Sequence, residues 1–154
     1  MRVLGIDYGG RRIGLALSDP SGMIASPWKT IPHAGGLQEV ASTLSGEIGA
    51  LLAEADGLAA VVLGHPRRLS GESTGQTATV EALADALRAR VTVPIVLQDE
   101  RLSSREAESR LAERIKDWRK RKALLDAASA AVILQDYLDG LPSRGIPASE
   151  EESA

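Results

Sequence analysis

The sequence contains no cysteine, no phenylalanine and no long hydrophobic run. The lack of cysteine excludes a disulfide framework and a thiolate metal site. No segment approaches the roughly eighteen uninterrupted apolar residues of a transmembrane helix, and the N-terminus lacks the features of a signal peptide. We therefore expect a cytoplasmic protein. With only two Trp and two Tyr, base stacking would contribute little to any nucleic-acid binding.

The charge distribution is more informative than the net charge of −3, which by itself argues weakly against nucleic-acid binding. Nine Lys or Arg against four Asp or Glu lie between Arg101 and Lys122, whereas part of the acid excess lies in Glu150–Glu152. The 154 residues suit one domain. We predict a single domain over residues 1–140 and a disordered acidic tail over 141–154.

Hydrophobic periodicity predicts the order βββαβαβαα. Three strands joined by short turns indicate an antiparallel meander, of which the third is an edge candidate because it contains Pro27. The predicted elements are strands Arg2–Asp7, Ile13–Ser18, Met23–Ile31, Ala59–Leu63 and Val93–Gln98, and helices over about Leu37–Leu52, Thr77–Arg90, Ser103–Ile115 and Arg121–Leu138, with a loop at Arg67–Gly75. This order predicts an α/β fold with a mixed five-stranded sheet and helices on both faces.

One carboxylate stands in an unusual place. Asp126 is the only charge in the segment ALLDAASAAVIL, which has the composition of a helix buried on all sides. A lone ionised Asp there would cost several kcal/mol, so we expect it to be neutral or to have a partner. The partner would be a metal ion or, alternatively, a backbone group or a neighbouring Arg. Ser129, one turn further along, could hold a ligated water.

Two further acidic sites follow apolar strands, at Asp7 and at Asp99-Glu100. In a parallel sheet, ligands bind beyond the carboxyl ends of the strands. Neighbouring residues of an extended chain point in opposite directions, so one carboxylate of the pair should face the site; we choose Glu100, with Asp99 as the alternative. Carboxylates gathered from separate elements suit Mg²⁺ or Mn²⁺, and two such ions can clamp both oxygens of phosphodiester hydrolysis. We therefore expect Asp7, Glu100 and Asp126 to be metal ligands and catalytic residues.

Each of these residues also has a structural interpretation. Asp7 could cap a turn, and the acidic pair could lie in a solvated loop. His65, in the sequence G-H-P, is better explained as a loop residue than as a catalytic base, and His33 as incidental. The basic residues that we expect to contact nucleic-acid phosphates are Arg67, Arg68, Arg101, Arg114, Lys116, Arg119, Lys120, Arg121 and Lys122. The alternative for them is a solvated surface.

These motifs together resemble the YqgF family of Holliday-junction-resolvase-like proteins and pre-16S rRNA nucleases, within the ribonuclease H-like superfamily. The resemblance covers nearly all of residues 1–138 and rests on G-I-D-Y-G, R-R-I-G-L-A-L-S-D, V-V-L-G-H-P, D-E-R-L-S-S and L-L-D-A-A-S-A-A-V-I-L-Q-D-Y-L. It implies a cytoplasmic nuclease that needs Mg²⁺ or Mn²⁺, with acidic residues at Asp7, the D-E pair and Asp126. The family more often has an apolar residue at His65 and threonine at Ser103-Ser104, and related resolvases carry a second helix Asp at Ser129.

Three functions compete at this point. The first is a metal-dependent endonuclease acting on structured nucleic acid, either branched DNA or precursor rRNA; a homodimer would favour the two-fold DNA junction. The second is a kinase-like nucleotide-binding protein that uses the Asp7 hairpin for phosphate, although the chain has no room for a second lobe. The third is a noncatalytic nucleic-acid-binding scaffold.

Overall fold

The computed structural model describes residues 1–9, 12–66, 75–100 and 118–141, and within these ranges the side chains other than those of Pro66, Gly75, Gln76, Glu100 and residues 118–124. The elements in chain order are β1 (Arg2–Tyr8), β2 (Arg12–Ser18), β3 (Ala25–Pro32), α1 (Leu37–Ala53), β4 (Leu58–Pro66), α2 (Gly75–Arg88), β5 (Ile95–Glu100) and α3 (Trp118–Asp139). Every helix in these ranges lacks the length or the apolar character needed to span a membrane.

The five strands form one mixed sheet in the order β3-β2-β1-β4-β5. Strand β2 runs antiparallel to both β1 and β3, whereas β4 is parallel to β1 and to β5. The predicted meander, the mixed sheet and the edge position of β3 are therefore confirmed. The carboxyl ends of the parallel strands β1, β4 and β5 lie side by side at one end of the sheet, which we call the carboxyl edge.

Helices cover both faces of the sheet, as predicted. One core lies between the sheet and helices α1 and α2, and contains Leu4, Ile6, Leu15 and Leu63 from the strands. The second core lies between the opposite face and α3, and contains Val3, Ala16, Ala60 and Val62 together with Ala130, Ile133 and Leu134. Because strand residues alternate between faces, these two lists assign the residues near the carboxyl ends of β1, β4 and β5 to one face or the other.

Several predicted boundaries were wrong by a few residues. Strand β4 continues through His65 to Pro66, and β5 continues through Asp99 to Glu100, because the two strands pair along this whole length. Backbone pairing extends these strands beyond the point where their apolar side chains end. Helix α3 already includes Trp118 to Lys120, ahead of the predicted start near Arg121. The predicted helix over 103–115, most of the predicted loop at 67–75 and most of the tail lie outside the described residues.

Candidate active site

Helix α3 lies directly on the sheet at two glycines. A Cβ atom placed on Gly14 would be 1.9 Å from the backbone oxygen of Asp126, and one placed on Gly5 would be 2.8 Å from the Cβ of Leu134. Neither approach is compatible with a side chain at the glycine. These contacts bring the backbone of Asp126 onto strand β2.

Asp7 lies beside this contact. It is the antiparallel partner of Gly14, and such partners lie about 5 Å apart between their Cα atoms. Ile6 and Tyr8 belong to the core beneath α1 and α2, so Asp7 faces α3, as Gly14 does. The structure therefore brings two of the three predicted ligands, Asp7 and Asp126, together on one face.

The carboxylate of Asp126 is paired with Arg12. Arg12 Nε donates to Asp126 Oδ2 at 2.8 Å, and the side chains are 52% and 30% exposed, respectively. The expectation of a helix buried on all sides is therefore wrong at this position, although residues 127–130 are buried. The expected partner exists, and it is an arginine that begins strand β2.

Register separates Asp99 from Glu100. Ile95 and Leu97 pack into the core beneath α1 and α2, so Asp99 lies on that face, next to its register partner His65. The next position of the strand, Glu100, belongs to the face that α3 covers. This placement favours Glu100 over Asp99 as the residue that accompanies Asp7 and Asp126.

Glycine also occupies the position between Asp7 and β5. Gly64 follows Leu63, the partner of Ile6 on β1, and alternation places it on the face that α3 covers. Strands β1 and β5 are separated by β4, which puts their backbones about 10 Å apart. Because Gly64 carries no side chain, the β4 position between Asp7 and β5 presents only backbone on this face.

The donor set fits a hard divalent cation. It consists of carboxylate oxygens, which Mg²⁺ and Mn²⁺ prefer, and the Arg12 guanidinium shows that Asp126 accommodates a cation. Among the described side chains, no three His, Asp or Glu groups converge as a complete metal site; the side chain of Glu100 is outside that description. Asp7 and Asp126 share one end and one face of the sheet, and alternation along β5 predicts the same face for Glu100.

The predicted nucleic-acid-binding residues are only partly placed. Arg67, Arg68, Arg101, Arg114 and Lys116 lie outside the described residues. The first turns of α3 contain the basic segment Arg119–Lys122, a few residues before Asp126. This segment therefore lies at the same end of the helix as the Asp126 carboxylate. Ser129 belongs to α3 and is buried, at 2% exposure.

Both histidines have structural partners that sequence reasoning missed. His65 lies in strand β4 rather than in a loop, and its Nε2 contacts Glu81 Oε2 at 2.9 Å on the face away from α3. His33, expected to be incidental to function, has structural contacts: its Nδ1–H donates to the Gly9 carbonyl at 2.8 Å, and its Nε2 lies 3.2 Å from the Tyr8 hydroxyl. Burial raises the pKa of the Tyr8 phenol. This network holds the chain just after Asp7.

Arg12 is the site residue that sequence reasoning did not select. The signal was present, since Arg12 precedes the apolar strand Ile13–Ser18 and belongs to the R-R-I-G motif. Nothing local indicates its partner, which is 114 positions away in the chain.

The chain matches one family model and is similar to several proteins of known sequence. A family model described as "RuvX: Holliday junction resolvase" matches residues 1–140. A protein of Syntrophus aciditrophicus is 36% identical over 147 residues, covering 96% of this chain and 94% of its own. A protein of Nocardioides sp. is 41% identical over 140 residues, covering 88% and 86%. Both carry the name "Putative pre-16S rRNA nuclease".

Solved structures show the same fold at much lower identity. RuvC of T. thermophilus, in complex with a Holliday junction substrate, superposes with a TM-score of 0.50 at 16% identity, covering 90% of this chain and 93% of its own. The fowlpox virus Holliday junction resolvase gives 0.52 at 10% identity, covering 92% and 100%. These likenesses confirm the expected fold class, a ribonuclease H-like α/β domain.

Proposed function

The chain belongs to the RuvX family and is a nuclease, and from this premise we propose that it cleaves precursor 16S rRNA with Asp7, Glu100 and Asp126 as ligands of divalent metal. One observation carries the proposal: Asp7 and Asp126 meet across Gly14 on the face and edge to which the end of β5 also belongs. Mg²⁺ or Mn²⁺, bound as one ion or two, would supply an activated water and stabilise the leaving oxygen.

The protein's own residues would bind and orient the substrate. The carboxylates would hold the cation at this end of the sheet, where Gly64, between Asp7 and β5, places no side chain in the way of the scissile phosphate. The basic segment Arg119–Lys122 would bind flanking phosphates by charge, which carries little sequence information. This arrangement suits recognition of RNA backbone and shape.

The matching family model is described as a Holliday junction resolvase, but the names of the individual sequence relatives favour precursor rRNA over branched DNA as the substrate. The relatives with 36% and 41% identity bear the rRNA nuclease name, whereas the resolvase structures share only 10–16% of their sequence with this chain. Sequence similarity at the higher level is the better guide to substrate. Processing of this kind takes place in the cytoplasm, where ribosomes assemble.

The test is a cleavage assay with matched carboxylate variants. Purified protein is incubated with labelled precursor-16S rRNA, four-way-junction DNA and linear duplex DNA, in Mn²⁺, Mg²⁺ or EDTA. We expect metal-dependent cleavage of the RNA, and a loss of at least about a hundredfold in Asp7→Asn, Glu100→Gln and Asp126→Asn, as for removal of a group that stabilises transition-state charge.

Asp99→Asn is the matched control because it neutralises the neighbouring carboxylate on the other face of β5. It should cleave at close to the wild-type rate. Full activity of Asp126→Asn would contradict the assigned site, and preferential cutting of the junction would assign the site to DNA. Metal-independent RNA binding without cleavage by any form would favour the scaffold function.

A further inference from the structure

We propose that Arg12 is a substrate-binding residue of this site, which pairs with Asp126 in the free protein and contacts a phosphate of the nucleic acid once a divalent cation occupies Asp126. The proposal rests on the function proposed above and adds a residue to it. The carboxylates account for the metal, but they leave a permanently charged arginine at the same place without a role.

The geometry of the pair makes Arg12 exchangeable. Its contact with Asp126 is a single bond from Nε to Oδ2, and no terminal guanidinium nitrogen has a partner within the described part of the chain. The side chain is 52% exposed. Exposed ion pairs change populations by less than about fivefold, so a divalent cation that binds Asp126 displaces this one readily.

The position of Arg12 keeps it near the site after it leaves Asp126. Its backbone is fixed as the first residue of β2, paired with Pro32, and it precedes Gly14 by two residues on the same face. A flexible stem carries five N–H donors whose planar arrangement matches phosphate oxygens. Once a divalent cation is bound to the Asp126 carboxylate, Arg12 is free to pair with another anion, and a phosphate of the bound substrate would be within its reach.

The proposal predicts that Arg12 contributes to RNA binding only when a divalent cation is present. The measurement is fluorescence anisotropy of a labelled precursor-16S rRNA segment with wild type and Arg12→Gln, in Ca²⁺ and in EDTA, with RNA integrity checked on a denaturing gel. In Ca²⁺ we expect about tenfold weaker binding by the variant and a smaller salt dependence, reduced by about one unit in log–log slope. In EDTA the two proteins should agree within twofold.

Arg88→Gln is the matched control. Arg88 also forms an exposed ion pair, with Asp85, at a similar 48% exposure, but it contacts the Ile95 carbonyl at the opposite end of β5. Its substitution should change RNA binding by less than twofold in both conditions. The proposal would be overturned if Arg12→Gln lost RNA affinity equally in EDTA and in Ca²⁺, or if it lost no RNA affinity in Ca²⁺.

A second measurement distinguishes two roles of Arg12: competing with the divalent cation for Asp126, or holding Asp126 in place as a metal ligand. In a Mn²⁺ titration followed by electron paramagnetic resonance, Arg12→Gln should bind Mn²⁺ about threefold or more tightly, because a competing cation has been removed. Unchanged or weaker binding would overturn the exchange. If wild type neither binds Mn²⁺ nor cleaves RNA, the proposed function itself fails; if it does both while Arg12→Gln matches it, only the assignment of Arg12 fails.

Discussion

At the scale of single residues, Asp19 shows how one carboxylate fixes a turn. Its Oδ1 accepts hydrogen bonds from the backbone N–H groups of Met23 at 2.9 Å and Ile24 at 2.8 Å, and the Ser21 hydroxyl donates to its Oδ2. The Ser21 hydroxyl, followed by these backbone N–H groups, holds the pKa of the Asp19 carboxyl well below its usual range. The charged form is therefore favoured by folding.

This shift makes the contribution of Asp19 depend on pH with a definite sign. Because the folded pKa is lowered, the stabilisation is fully present above the unfolded pKa of about 3.9 and is lost as the pH falls through the folded value. We expect Asp19→Asn to be less stable than wild type in urea unfolding at pH 7, with the difference shrinking below about pH 4. A difference of constant size from pH 7 to pH 3 would contradict this.

The sequence allows some site residues to be predicted and not others, for a physical reason. Asp7 and Asp126 stand out because an ionised group in an apolar segment is costly without a partner, and Glu100 follows from strand alternation. Arg12 and His33 do not stand out, because arginine and histidine are ordinary surface residues. Their roles come from partners brought close by the fold, Asp126 for Arg12 and the Gly9 carbonyl for His33.

At the scale of elements, the close approach of α3 to β2 is what unites the two aspartates. It depends on Gly14, since any Cβ there would overlap the backbone of Asp126 at 1.9 Å. We expect Gly14→Ala to destabilise the protein by at least about 3 kcal/mol, at the upper end of overpacking effects, and to lose cleavage because α3 moves. Urea unfolding and the RNA cleavage assay would measure both effects.

Gly46 provides the matched substitution in a helix. It is exposed in α1, and a Cβ atom there would have no heavy atom within 4 Å. Gly46→Ala should therefore stabilise the protein by about 0.5–1 kcal/mol and leave cleavage intact. A Gly14→Ala protein with wild-type stability and activity would show that α3 does not depend on this contact.

The element order could be predicted because each element carries its own period, as in α1, whose buried Val40, Ala41, Leu44, Ile48 and Leu51 recur every three or four residues. The ends of β4 and β5 could not, since His65, Asp99 and Glu100 are polar and are kept extended by pairing between the two strands. Hydrophobic patterning reports which face is buried. It does not report how far backbone pairing continues past the core.

At the scale of the whole molecule, the candidate site joins parts of the chain that are distant in sequence. Asp7 comes from β1, Glu100 from β5 and Asp126 from α3, and each of the two cores contains residues from one or more of these elements. Within the described side chains, Arg12 offsets the charge of Asp126. A divalent cation bound by all three acidic residues would oppose separation of α3 from the sheet.

Metal binding should therefore stabilise the entire domain. A ligand that binds only the folded state stabilises it by about 2.7 kcal/mol at a hundred times its Kd, which corresponds to an increase in Tm of roughly 5–10 °C for a domain of this size. We expect Mn²⁺ to raise the Tm of wild type and Asp99→Asn by this amount in thermal unfolding, EDTA to reverse it, and Asp7→Asn and Asp126→Asn to show little increase. Equal increases in all four proteins would place the ion elsewhere, because only a site shared by β1 and α3 links both aspartates to the stability of the fold.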